Sequence, residues 1–439
     1  MSEPGRDLAV TLLKEFKGDR YRFGVGAMEH LSASLADLGR QVVVFAGKTA
    51  RSTGLLDQIG RAVYSAGGVV VAVLDPAGPN APVEEVYAMA EGLRAHPNAD
   101  CVVVAGGGSA IDATKAAAVL HALGGDLEAY YGMGLVGRAL AERGASLLPI
   151  VAVMTASSSA AHLTKYANVT RFDLGQKKLI IDEAVVPPRA VFDYGLTTSM
   201  DRFFTLDGAF DGISHCLEVY LGATGSPAYD TIEQIALTGI ELIVTHLSNA
   251  LDTPGDLPAR TALGLGTDLG GYAIMTGGTS GAHLNSFSLV DILPHGRAVS
   301  ILNPYYVVFF APACERQLRR LADLYTRTGW LKASVEGLHG RDLGLAVSEA
   351  MSAFAHHVGF PTRLADVPGF TDEHVRRCLS AAKIPQLRSK LENMPVRLTP
   401  EHVDEYMGAV LEAAVAGDPS RVKNMCSVSQ EVRRKADLR

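Results

Sequence analysis

No stretch of the 439-residue chain approaches about 18 uninterrupted apolar residues, the length a membrane-spanning helix needs, so no membrane span is expected. The first twenty residues, MSEPGRDLAVTLLKEFKGDR, lack the apolar core of a secretory leader. Cysteine is sparse, dispersed and odd in number: Cys101, Cys216, Cys314, Cys378 and Cys426, with no C-x-x-C. A disulfide framework is therefore not expected, and a reducing, cytoplasmic setting is. Basic charge is not in excess: 40 Lys and Arg stand against 47 Asp and Glu, a net charge of −7. That balance argues against a nucleic-acid partner. Internal repeats and low-complexity tracts are also absent.

What is present is core-forming material in an ordered pattern. The chain is 48% hydrophobic and 20% charged, long enough for two domains. Short Val-rich runs predict strands over 41–45, 69–74, 101–105 and 148–153, and helical periodicity predicts helices over 55–66 and 83–95. Alternation of this kind predicts a parallel sheet with helices on both faces. From about Thr198 the pattern turns helical, over 203–221, 229–250, 258–275 and 314–328. Pro187-Pro188 and the segment 195–198 mark the boundary. The expected organisation is an α/β nucleotide-binding domain over 1–197 and an all-α domain over 198–439.

Two segments carry chemistry. In ADCVVVAGGGSAIDATKAAAVL, a buried-type strand breaks at Gly106, Gly107, Gly108 and Ser109, and a helix follows. Strand, glycine turn and helix start form a cradle for a diphosphate, with free N–H groups facing the negative charge. The pattern is neither G-x-G-x-x-G nor a Walker A loop. In DGISHCLEVY, Asp211 and His215 stand one helical turn apart and share a face. His283 and His295 follow. One carboxylate and three imidazoles suit Fe(II) or Zn(II), and one coordination position can stay open to a substrate oxygen. Cys216, beside His215, points away as a core residue.

Together these segments resemble the iron-containing (group III) alcohol dehydrogenases, relatives of the dehydroquinate synthase fold. The family's GGGSxxDxxK motif is met by Gly106–Gly108, Ser109, Asp112 and Lys115. Its Asp-x-x-x-His motif is met by Asp211 and His215, followed by Glu218 and Tyr220, and its later histidines by His283 and His295 in PHG. The resemblance covers most of the chain, including the stretch FGVGAMEHLSASLADLG, the Pro79-Asn80 loop, KKLIIDEAVVPPRAVFDYGLT and NPYYVVFFAP. It implies a dehydroquinate synthase-like fold. It also implies hydride transfer between a nicotinamide and a small alcohol or aldehyde, in a homodimer or larger homo-oligomer. The metal ligands implied are Asp211, His215, His283 and His295, loaded with Fe(II), or with Zn(II) or Mn(II) as availability decides. Cofactor contacts are expected from Gly47, Lys48, Thr49, Asn80, Gly106, Gly107, Gly108, Ser109, Asp112, Thr155, Ser158, Ser159 and Lys178. Glu218 is a candidate acceptor for a ligand histidine.

The family often places an Asp at the end of the second strand, where it holds the ribose hydroxyls of NAD. Here Gly47 stands there, with Lys48, Thr49, Arg51 and Ser52 beside it, so NADP(H) is favoured over NAD(H). Three departures follow. The family's TTAGTGSEVT loop becomes TASSSAAHLT over 155–164, which makes His162 a candidate substrate contact or proton carrier. A histidine common in relatives becomes Phe287, lining a more apolar pocket. His283 and His295 stand closer than in the family. With Arg297, His162 could also receive an anionic group, so a carboxylate-, sulfonate- or phosphonate-bearing aldehyde is a candidate beside the default small aliphatic one. Other readings stay open: a dehydroquinate synthase-type lyase, a zinc polyol dehydrogenase, or an inactive nucleotide-binding relative.

Overall fold

The computed structural model describes residues 4–425; Cys426 lies outside them. Among the described residues there are nine strands: β1 (Tyr21–Gly24), β2 (Gln41–Ala46), β3 (Val69–Leu74), β4 (Cys101–Gly106), β5 (Gly132–Met133), β6 (Ile150–Met154), β7 (Tyr166–Arg171), β8 (Gln176–Ile181) and β9 (Arg189–Asp193). Six form one wholly parallel sheet in the order β1-β9-β6-β4-β2-β3. β5, β8 and β7 form a second sheet.

The large sheet follows from its side chains. Val42–Ala46 and Cys101–Ala105 are buried without alternation, as strands covered on both faces must be. Branched Val side chains suit the pleat. Neighbours align in register, Val42 beside Cys101 and Val102 beside Ile150. β3 is the exception: its Val69 and Val73 are exposed, because it is an edge strand.

Seven helices matter for the site: α1 (Lys48–Ser52), α2 (Gly108–Leu123), α3 (Arg202–Gly222), α4 (Tyr229–Asp252), α5 (Leu257–Thr276), α6 (Gly281–Ser286) and α7 (His295–Phe310). The chain clusters into two compact units. The first comprises the residues up to Leu217, Glu233–Thr276 and Pro294–Gly296, and it holds both sheets, α2, α5 and most of α3 and α4. The second comprises Glu218–Ile232, Gly277–Leu293 and the chain from Arg297; its described residues are helical, with α6, nearly all of α7 and the later helices. Among the described residues, no helix is long and apolar enough to cross a membrane.

Candidate functional site

The glycine turn sits at the carboxyl end of β4, where open α/β sheets bind ligands. Gly107 is the N-cap of α2 and supplies no side-chain cap, so the first N–H groups of this 16-residue helix stay open to an anion. Glycine here serves close approach. A Cβ on Gly108 would collide with Ser159 Oγ, and one on Gly106 would lie 2.6 Å from Ala110 Cβ. The Ser159 hydroxyl is buried and has no protein partner, so it is placed beside the turn with a hydrogen bond to give. Thr155 N donates to Gly106 O at 3.1 Å and ties the 155–159 loop to the turn.

The Asn80 loop closes on the same helix end. Asn80 N donates to Ser109 Oγ at 3.0 Å, and Thr170 Oγ1 donates to Asn80 O at 2.6 Å. Asn80 and Ala81 are left-handed, at φ 64° and 51°, a conformation held by these clamps.

Three expected contacts are corrected. The Asp112 carboxylate faces the interior: it accepts from Asn168 N and Nδ2 at 3.1 and 2.9 Å and lies 3.5 Å from Lys115 Nζ. Lys115, fully buried, donates to the carbonyls of Ala161, Thr164 and Tyr166 at 2.6, 2.9 and 2.7 Å. Asp112 and Lys115 thus brace the 161–166 segment. Lys178 pairs at the surface with both Glu128 oxygens, at 2.7 and 2.6 Å. Its neighbour Lys177 is the buried one, with Nζ 3.4 Å from Asn80 Oδ1. Burial pushes the Lys177 amine down to about 8, against the opposing pull of Asp112 and Asp211. Period-two alternation in β8 sends the two lysines to opposite faces, Lys177 toward Asn80 and Lys178 toward Glu128.

His162 is the third. Its ring is 1% exposed. Nε2 lies 3.2 Å from Tyr21 OH and 3.3 Å from Asp268 Oδ1. Tyr21 and Tyr194 both donate to Asp268 Oδ2, at 2.5 and 2.9 Å. The Nε2 edge of the imidazole is thereby engaged in an internal knot with Tyr21 and Asp268.

The metal-type residues start from α3. Asp211 and His215 are one turn apart on it, and His215 Nε2 lies 3.8 Å from Asp211 Oδ1. His295, at the start of α7, brings its Nε2 to 3.9 Å from the same oxygen. Gly296 makes that approach feasible, since a Cβ there would strike the Asp207 carbonyl and lie 3.0 Å from Asp211 Cβ. One turn beyond His215, Glu218 accepts from His283 Nδ1 at 2.6 Å and from Ser280 N at 2.7 Å. Burial alone would raise the Glu218 carboxyl; His283, the Ser280 amide and Lys390 together hold it below its ordinary value. With Nδ1–H given to Glu218, the His283 Nε2 carries the lone pair. Asp211, His215 and His283 are all buried, and their ligand atoms lie within 4.8 Å of one another. Hard carboxylate oxygen with imidazole nitrogens fits Fe(II), Zn(II) or Mn(II).

Cys216 stays out of this set. Its thiol packs on Gly239, and burial pushes it up to about 12. Phe287 is buried, but not among apolar groups alone: Lys390 Nζ lies 5.7 Å from its ring centroid and donates to Thr279 Oγ1. Lys390 was not foreseen, for nothing local in sequence ties it to residue 287. The Arg297 guanidinium stacks 5.9 Å from the Phe360 ring. Gly47, Lys48 and Thr49 cap the end of β2.

A parallel α/β sheet with a glycine cradle, followed by helices bearing an Asp/His cluster, defines a two-part protein of the dehydroquinate synthase-like class. The family model for "Iron-containing alcohol dehydrogenase" matches residues 18–194, and that for "Fe-containing alcohol dehydrogenase family, C-terminal" matches residues 205–411. The chain belongs to the iron-containing alcohol dehydrogenase family, a family of alcohol and aldehyde oxidoreductases. It is 25% identical over 355 residues to the NAD-dependent methanol dehydrogenase of Bacillus methanolicus, covering 80% of this chain and 88% of that one. It superposes on a 1,3-propanediol oxidoreductase with TM-score 0.75 and 23% identity, covering 90% and 98% of the two chains. For sulfoacetaldehyde reductase from Bifidobacterium kashiwanohense the TM-score is 0.69 and the identity 24%, covering 91% and 97%.

Proposed function

We propose that this chain is a metal-dependent, NAD(P)-linked alcohol dehydrogenase or aldehyde reductase acting on a small, neutral aliphatic substrate. The observation that carries the reading is the buried Asp211, His215 and His283 group, with Glu218 fixing the His283 ring. His295 completes the ligand set. Fe(II) is the favoured ion, with Zn(II) or Mn(II) as substitutes. A divalent ion there supplies Lewis acidity to a substrate oxygen, and the nicotinamide supplies or takes the hydride. Residues 1–197 act as the nucleotide-binding part and residues 198–439 carry the ligands.

The protein's own groups have definable tasks. Open amides at the start of α2 and the Ser159 hydroxyl hold the diphosphate. The Asn80 loop, clamped to Ser109, frames one side, with Lys177 behind it. Asp211 lends a full negative charge to the cation, and Glu218 keeps Nε2 of His283 free of a proton. One receptor considered for an anionic substrate, His162, has its Nε2 edge engaged with Tyr21 and Asp268, which favours a neutral substrate. The methanol dehydrogenase relative supports a short primary alcohol. A cytoplasmic homodimer or larger homo-oligomer belongs to the same reading.

The test is anaerobic purification with metal analysis, then oxidation of NADPH and NADH against neutral and anionic aldehydes with Fe(II) or Zn(II) restored. Metal-dependent turnover that His283→Ala abolishes is expected. Protein that holds no metal would sink the ligand assignment, and a best substrate bearing an anion would overturn the neutral one.

A further inference from the structure

His283 stands on a helix that cannot hold itself. α6 has six residues, Gly281–Ser286, and isolated helices below about 12 residues are marginal in water. Its N-cap, Ser280, supplies no side-chain bond. The aim of the His283 ring therefore depends on what grips the two ends of α6.

The N-terminal end is gripped from two sides. Glu218 accepts from Ser280 N. Thr279, just before it, accepts from Lys390 Nζ at its hydroxyl and from Asn393 Nδ2 at its carbonyl, the latter at 3.1 Å.

The C-terminal end is gripped by one later helix, α8 (Asp372–Ala382). His374, Arg377 and Cys378 stand three and four residues apart on it and share a face. All three reach the segment 285–291. Cys378 Sγ donates to Asn285 O at 3.3 Å. Arg377 donates from Nε and Nη2 to Ser288 O, at 2.8 and 2.5 Å, and from Nη2 to Asp291 Oδ1. His374 Nε2 lies 3.4 Å from Asp291 Oδ2. A planar guanidinium can close one edge on a carbonyl and still reach a carboxylate; an ammonium is a point charge without that fork. The neighbouring Arg376 takes no part, since it pairs within its own helix, Nε donating to Glu373 Oε2 at 2.8 Å.

We propose that Arg377 is a positioning residue for His283, and that docking of α8 and loading of the metal stabilise each other. Arg377 fixes the turn that leaves α6, so the six-residue helix keeps one register and the His283 ring one aim. The bound ion in turn holds α6 in that register and α8 against it, because such coupling is reciprocal. This rests on the reading of His283 as a metal ligand.

The test uses the full chain, stripped of metal, with Zn(II) as the probe. Chelator competition measures affinity, and amide hydrogen exchange reads residues 372–382 with and without Zn(II). Arg377→Ala is expected to weaken Zn(II) roughly 10- to 100-fold, and Arg377→Lys, which keeps the charge but not the fork, roughly 3- to 10-fold. Arg376→Ala is expected to leave Zn(II) affinity as in the parent. Zn(II) is expected to slow exchange across 372–382 in the parent and in Arg376→Ala, and to leave it unchanged in Arg377→Ala. A merely structural role would lower the melting temperature of the metal-free protein without moving the Zn(II)-linked protection. Affinity within twofold of the parent in folded Arg377→Ala overturns the proposal, as does a parent in which bound Zn(II) leaves exchange across 372–382 unchanged. If Arg377→Ala does not fold, Arg377→Lys decides by the same twofold criterion. A parent that binds no Zn(II) overturns the metal reading as well, a result distinct from the others.

Discussion

Glu218→Gln isolates what orients His283, a ligand in the proposed metal site. The native carboxylate is buried, takes the His283 Nδ1 proton at 2.6 Å and accepts from Ser280 N at 2.7 Å and Ser280 Oγ at 3.2 Å. Glutamine keeps the shape but has one oxygen where two acceptors are used. If its oxygen turns to Ser280, its amide N–H points at Nδ1, favouring the tautomer with the proton on Nε2. That proton blocks the ligand lone pair. If its oxygen turns to His283, two N–H groups face each other at Ser280. Either way one charge-assisted hydrogen bond is lost, worth about 1.5–3 kcal/mol. Loss of such outer partners typically lowers metal affinity about 10- to 100-fold, or roughly 1.4–2.7 kcal/mol. Chelator competition on anaerobically prepared protein measures this, with the melting temperature of metal-free protein as control for folding. Metal affinity within twofold of the parent, in a folded Glu218→Gln protein, would refute the orienting role.

The other predictions concern the scaffold. Lys115→Met strands three carbonyls and removes the cation that pairs with the buried Asp112, so urea unfolding is expected to show a loss on the order of 3–5 kcal/mol. Burial drops the Lys115 amine from 10.5 to about 8, against the counter-pull of Asp112. Between those values the unfolded chain holds the extra proton, so this group makes stability rise from about pH 8 toward 10, by about 1.4 kcal/mol per pH unit. Lys115→Met should flatten that rise in melting temperature, and an unchanged slope would count against the assignment. Gly296→Ala forces a methyl into the Asp207 carbonyl, and bound metal per chain is expected to fall while the melting temperature drops. His162→Asn is expected to lower the melting temperature yet leave the aldehyde KM unchanged, because the ring lies in the Tyr21–Asp268–Tyr194 knot; a KM shift above about 10-fold would return His162 to the substrate.

The fold was legible where periodicity was strong. The expected strand over 69–74 coincides with β3, and the runs over 41–45 and 101–105 each gained one residue. β1, β5, β7, β8 and β9 were missed, being short or interrupted by charge: YRFG and QKKLII do not look like buried strands until Tyr21 is seen bonded to Asp268 and Lys177 facing Asn80. Asp211 and His215 were readable because one helical turn joins them. The roles of Asp112, Lys178 and His162 were not, because each depends on a partner distant in sequence: Asn168, Glu128 and Asp268.

A motif fixes which residues stay together but not which of them face a ligand. In GGGSAIDATK the first four residues shape an opening, while Asp112 and Lys115, one turn on and three residues apart, turn inward and are consumed by the protein. A buried charge needs partners wherever it sits, and here Lys115 finds three carbonyls in the 161–166 segment. That bond set holds the loop carrying Ser159 against Gly108. The Asp-x-x-Lys half of the motif therefore acts at one remove: it keeps the cradle's wall in place, and changing it should loosen nucleotide binding in proportion to lost stability rather than through lost contact.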